Sequence, residues 1–218
     1  RAMHAYAVQS AEGLLKMDAM ENPFGLPPEL QAALGQRLGE LALNRYPGSR
    51  NDDLRAALAS YAGMPEGHAL ILGNGSDELI TLLALACAQP GAKVLAPVPG
   101  FVMYAMSAQL QGLGFVGVPL TPDFALDEAA MLAAIAEHRP AITYIAYPNN
   151  PTATLWDEAV VQRIVDAVGA QGGIVAMDEA YQPFASRTWL DRIRAEPARN
   201  RHVLLMRTLS KFGLAGVR

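Results

Sequence analysis

Apolar residues recur along this 218-residue chain in two alternating rhythms. At 27–43, 51–62, 76–89, 101–111, 127–137 and 156–170 they return every three or four positions, the spacing that gives a helix one apolar face. Between these stretches lie short apolar runs: HALIL (68–72), KVLAPV (93–98), FVGVPL (115–120), AITYIAY (141–147), GIVAMD (173–178) and HVLLMR (202–207). Most are continuous and not alternating, as parallel strands covered on both faces should be. The alternation predicts an α/β fold, a mostly parallel sheet between two helical layers with right-handed crossovers. Residues 1–25 fall outside the rhythm and read as an N-terminal arm, which the Pro- and Gly-rich ENPFGLPP (21–28) joins to a sheet domain over 26–218.

Composition narrows the function classes. With 51% hydrophobic and 17% charged residues the chain can bury one sizeable core. A net charge of −4 without a basic stripe argues against nucleic acid and anionic membrane surfaces as partners and favours small molecules. LITLLALACA (79–88) is about half the ~20 residues of a membrane span and reads as a buried helix. Cys87 is the single cysteine, which excludes an internal disulfide and points to a reducing, cytoplasmic compartment. His4, His68, His138 and His202 lack metal-ligand spacing, so no metal is expected. No signal peptide is visible, and the missing initiator Met and abrupt end after TLSKFGLAGVR lead us to expect trimming at both ends.

Ligands of open α/β sheets bind beyond the C-terminal ends of the strands. There the sequence places GNGSDE (73–78), PGFVMY (99–104), PNNPTA (148–153), DEAY (178–181) and TLSK (208–211). Each piece alone has an ordinary reading as well. GNGSDE can hold a phosphate at a helix start, or simply start a helix capped by Ser76 or Asp77. With Glu78 at the third glycine position it is no dinucleotide fingerprint. PNNPT can be a plain turn, Asp178 a cap, Tyr181 a core aromatic and Lys211 a solvated surface lysine.

Pyridoxal phosphate needs all of these groups at once: an amine for its aldehyde, a carboxylate for its ring nitrogen, donors for its phenolate oxygen and a cradle for its phosphate. From MENPFG (20–25) through NRYPG (44–48) to TLSKFGLAGVR (208–218), the motifs resemble fold-type I pyridoxal-phosphate-dependent aminotransferases, and among them the histidinol-phosphate aminotransferases. The resemblance implies that Lys211 carries the cofactor and moves the substrate proton, and that Asp178 pairs with the ring nitrogen. Asn150 and Tyr181 would hold the phenolate oxygen, and Tyr104 would stack on the ring. Gly75, Ser76, Asp77, Ser210 and Arg218 would cup the phosphate. Tyr46 would reach the phosphate of a second subunit, implying a homodimer with shared sites, and Asn22 would face the substrate. The implied reaction exchanges an amino group between L-histidinol phosphate and 2-oxoglutarate. An aromatic aminotransferase, a threonine-phosphate decarboxylase or a non-catalytic dimerising fragment are the alternatives. Ala153 replaces the family's usual glycine after NPT, and the family's C-terminal small domain is absent from the 218 residues.

Overall fold

The structure, a computed structural model, describes residues 10, 12–46 and 52–217. Helices α1 (Pro28–Gly39), α2 (Asp52–Ala62) and α3 (Ser76–Ala86) precede strand β1 (Lys93–Val98). Then α4 (Val102–Leu110), β2 (Gly114–Pro119), α5 (Glu128–His138), β3 (Ile142–Ala146), α6 (Glu158–Ala170), β4 (Ile174–Asp178), α7 (Leu190–Ala195) and β5 (Val203–Met206) alternate. Capping chemistry fixes two starts: Asp127 accepts from Ala130 N (2.9 Å), and Asp157 accepts from Ala159 N and Val160 N (2.9 and 3.0 Å).

The five strands form one parallel sheet in the order β2-β1-β3-β4-β5. From β1 the chain winds outward to β2, then crosses to β3 and winds the other way, so the order reverses between β1 and β3. A crevice at the carboxyl ends of the strands follows from that reversal.

Pleating sends successive side chains to opposite faces. Leu95, Ile145, Val175 and Met177 enter a core with α5, α6 and α7 that includes the buried Trp156 and Trp189. Val94, Ala96, Ile142, Tyr144 and Ala176 enter a second core with α3 and α4, built on Ile80, Ala84, Tyr104 and Ala108. Both faces of the sheet are therefore covered, which explains the continuous apolar runs.

HALIL (68–72) is no strand. A strand needs a neighbour whose backbone takes up its N–H and C=O groups. Here the Arg55 guanidinium takes the Leu70 carbonyl, and Ile71 is exposed. The periodic stretch 27–43 is helical only to Gly39, and α1 buries none of its side chains. The six residues of α7 were too few for periodicity to reveal.

Candidate active site

Asp178 ends β4 and points to the α3/α4 face, two residues beyond Ala176 on the same side of the pleat. It is 5% exposed. Tyr104 Oη donates to Oδ2 at 2.6 Å, and Ala180 N donates to Oδ1 at 2.9 Å. Burial pushes its carboxyl up from the ordinary value. The two hydrogen bonds oppose that shift, and the Asp77 carboxylate adds to it. No ion pair to Asp178 exists among the described residues.

Tyr104 is buried beside Asp178. One face of its ring lies on Tyr144, with centroids 4.2 Å apart and planes 7° from parallel, while its hydroxyl is committed to Asp178. Burial and the Asp178 carboxylate hold that hydroxyl far above its ordinary pKa, so it remains a donor. The half-buried ring on this edge is Phe101, edge-on to Tyr104 at 5.6 Å. An open apolar cleft of about 370 Å³ borders both aromatics, but Asp178, Asn150 and Lys211 do not line it.

The α3 start carries a glycine at its cap. Gly75, at φ 79°, is its N-cap, in place of the Ser76 or Asp77 cap that the ordinary reading offered. A side chain is rarely tolerated at that φ. Gly75 supplies no side-chain cap, so it takes none of the first-turn N–H groups. Glu78 folds back onto Asn74, accepting from its backbone N–H and from Nδ2, and so tightens the loop ahead of the helix. Ser76 and Asp77 are both half-buried in that turn.

The two asparagines of PNNPTA divide their work. Asn149 is 3% exposed and donates to Pro99 O (3.2 Å) and Thr152 Oγ1 (2.9 Å), fastening this loop to the end of β1. Asn150 takes part in none of the side-chain hydrogen bonds found among the described residues, and is half-buried. Ala153 has φ 56°, the left-handed conformation that glycine would adopt without strain.

Beyond β5, Ser210–Leu214 forms a short helical turn kinked at Gly213 (φ 126°). Thr208 Oγ1 bonds Ser210 Oγ at 3.1 Å. Lys211 Nζ donates to Ala19 O at 2.7 Å and stands 5.5 Å from the Tyr181 ring centre. Asn22 lies against Gly213, where an added Cβ would meet Asn22 Nδ2 at 3.1 Å. The arm thus covers the Lys211 turn. Tyr46 is 98% exposed, and Arg218 lies outside the described residues.

Sequence reasoning passed over Asn149, Glu179 and Arg207. The doubled asparagine and the second carboxylate of DEAY were the available signals; nothing marked Arg207.

The profile of the family described as "Aminotransferase class I and II" matches residues 12–218. The chain belongs to this family. Among relatives of this class I and II member, the histidinol-phosphate aminotransferase of Acidovorax sp. (strain JS42) is 82% identical over the whole chain, and that of Polaromonas naphthalenivorans (strain CJ2) 72%. The chain spans 59% of the length of each. The crystal structure of histidinol-phosphate aminotransferase from Sinorhizobium meliloti in complex with pyridoxal-5'-phosphate matches 92% of this chain and 53% of its own, with TM-score 0.77 and 29% identity. The fold is accordingly the large-domain sheet of the fold-type I enzymes.

Proposed function

We propose that this chain forms the cofactor-binding part of a pyridoxal-phosphate-dependent aminotransferase. It exchanges an amino group between L-histidinol phosphate and 2-oxoglutarate, giving imidazole-acetol phosphate and L-glutamate. The observation that carries the reading is Asp178: a buried carboxylate with no cationic partner among the described residues, one strand from the Lys211 turn. An unpaired buried carboxylate is costly unless a ligand supplies the positive charge, and a protonated pyridine nitrogen does so. The α3 start, whose first-turn N–H groups no capping side chain takes, fits the phosphate of the same ligand. When bound, pyridoxal phosphate supplies an electron sink for the negative charge left on the substrate carbon after its proton departs.

The protein's own groups divide the rest. Asp178 keeps the ring nitrogen protonated, and the Tyr104 hydroxyl and Ala180 N–H fix its orientation. Lys211 Nζ would be the amine that holds the cofactor at its aldehyde end, and the group that accepts and returns the substrate proton. Asn150 and Tyr181 donate to the phenolate oxygen. The first-turn amides of α3 with Gly75, Ser76 and Asp77, joined by Ser210 and Arg218, hold the phosphate. Phe101 replaces Tyr104 as the aromatic against the ring face. Asn22 on the arm faces the substrate, and Tyr46 reaches the second subunit of a cytoplasmic homodimer; its 98% exposure leaves it available for that contact. The substrate assignment rests on the 72–82% identity to histidinol-phosphate aminotransferases.

Adding L-histidinol phosphate to the complete, cofactor-loaded polypeptide should move the visible band near ~420 nm toward ~330 nm. A response to phenylalanine or tyrosine alone would reject the substrate assignment while leaving the cofactor assignment standing.

A further inference from the structure

Immediately after Asp178 stands a second buried carboxylate for which the proposed reaction has no use. Glu179 is 1% exposed and faces away from Asp178, toward Trp189 and the α6/α7 core. Its carboxylate accepts from Thr188 Oγ1 (2.9 Å to each oxygen), Trp189 N (2.5 Å) and Arg207 Nε (3.0 Å), with Arg207 Nη2 at 2.9 Å. Arg207 Nη2 also donates to Thr188 Oγ1 at 2.9 Å, closing a three-residue ring. The backbones are joined at the same level: Asp178 pairs with Met206, and Glu179 N donates to Met206 O at 2.8 Å.

Net stability is a poor reason to keep such a pair, because desolvating two charges cancels much of their attraction and an apolar pair of equal volume often does as well. Its place in the chain offers another reason. Glu179 follows Asp178 directly, and Arg207 precedes Thr208, Ser210 and Lys211 by one, three and four residues. Beyond Met206 the β4/β5 ladder has ended, so backbone pairing no longer fixes where the Lys211 turn begins.

We propose that the Glu179–Thr188–Arg207 ring is a positioning clamp that sets the placement of the Lys211 turn relative to Asp178, and so the alignment of amine and carboxylate along one bound cofactor. The inference rests on the proposed cofactor reading. Glu179 and Arg207 touch neither cofactor nor substrate in this scheme and act through their neighbours. Arg207 matters for its fork: Nε and Nη2 reach two acceptors at fixed angles, which a lysine cannot reproduce.

The test uses the complete polypeptide loaded with pyridoxal 5'-phosphate and compares Glu179→Gln, Arg207→Lys and Thr188→Val with the parent. Thr188→Val leaves both charges paired and is the variant to read if either charge variant fails to fold. The readouts are the visible circular dichroism of the bound cofactor, which reports its orientation in the site, and the separate kcat and KM for the amino donor. The clamp predicts altered visible circular dichroism and a kcat lowered on the order of 10- to 100-fold in the charge variants, and less in Thr188→Val, with KM nearly unchanged. Folded variants that melt earlier but keep the parent's circular dichroism and kcat would show a merely structural pair and overturn the clamp. Failure of the parent itself to bind the cofactor would instead overturn the reading on which the clamp rests.

Discussion

At the scale of single residues, Asp178 links folding to function with opposite signs. Burial raises its folded pKa, so between its unfolded and folded values the native state binds more protons and stability falls as pH rises. Asp178→Asn keeps both hydrogen bonds if Oδ1 accepts from Ala180 N and Nδ2 donates to Tyr104 Oη. The cofactor-free variant should melt at or above the parent's temperature at neutral pH, the difference shrinking as pH falls toward the usual carboxylate range. Turnover should meanwhile drop on the order of 10²–10³-fold. Calorimetry across pH checks the first part, and a variant less stable at neutral pH than at acid pH, relative to the parent, would contradict it. Ala153 gives a second expectation. At φ 56° its Cβ is strained, so Ala153→Gly should stabilise by up to ~1 kcal/mol once glycine's extra unfolded-state freedom is subtracted, measurable by denaturant melts. The sequence carried the identity of these residues, but not the contacts of Tyr104. Which way a ring at the start of α4 turns depends on its contacts with Tyr144 and Asp178, which only the packed sheet brings together.

At the scale of elements, strands with partners on both sides were legible and the segment without one was not. KVLAPV is β1 residue for residue, because both faces of that strand are covered and its apolar run has no reason to alternate. HALIL is an apolar run of the same kind, yet whether it pairs depends on a neighbour that local pattern does not encode. The α3 start shows a motif whose placement was legible and whose cap was not: Gly75 takes the cap position itself. Gly75→Ala should cost about 1–3 kcal/mol in that conformation and weaken pyridoxal 5'-phosphate affinity about tenfold, while pyridoxal, which lacks the phosphate, binds both proteins alike. An equal loss for pyridoxal would place the phosphate elsewhere.

At the scale of the whole molecule, the exposed Tyr46 and the unburied apolar row Leu30, Leu34 and Leu38 on α1 belong to a chain spanning 59% of its relatives' length. Complementation tests the shared-site proposal directly. Mixing Lys211→Ala with Tyr46→Ala subunits of the complete polypeptide should restore activity, because a hybrid dimer has one site with both defects and one with neither. No recovery after verified subunit exchange would mean that Tyr46 serves its own subunit. Among the described residues no helix is long and apolar enough to cross a membrane, and no cluster of His, Cys, Asp and Glu could hold a metal ion.

The most direct measurement is to load the complete polypeptide with pyridoxal 5'-phosphate, reduce it with borohydride, digest it and locate the label by mass spectrometry. The account predicts that the cofactor is covalently attached to Lys211 and that Lys211→Ala carries no label. Attachment at Lys16 or Lys93 in the parent, or a parent that binds the cofactor without any lysine label, would contradict it.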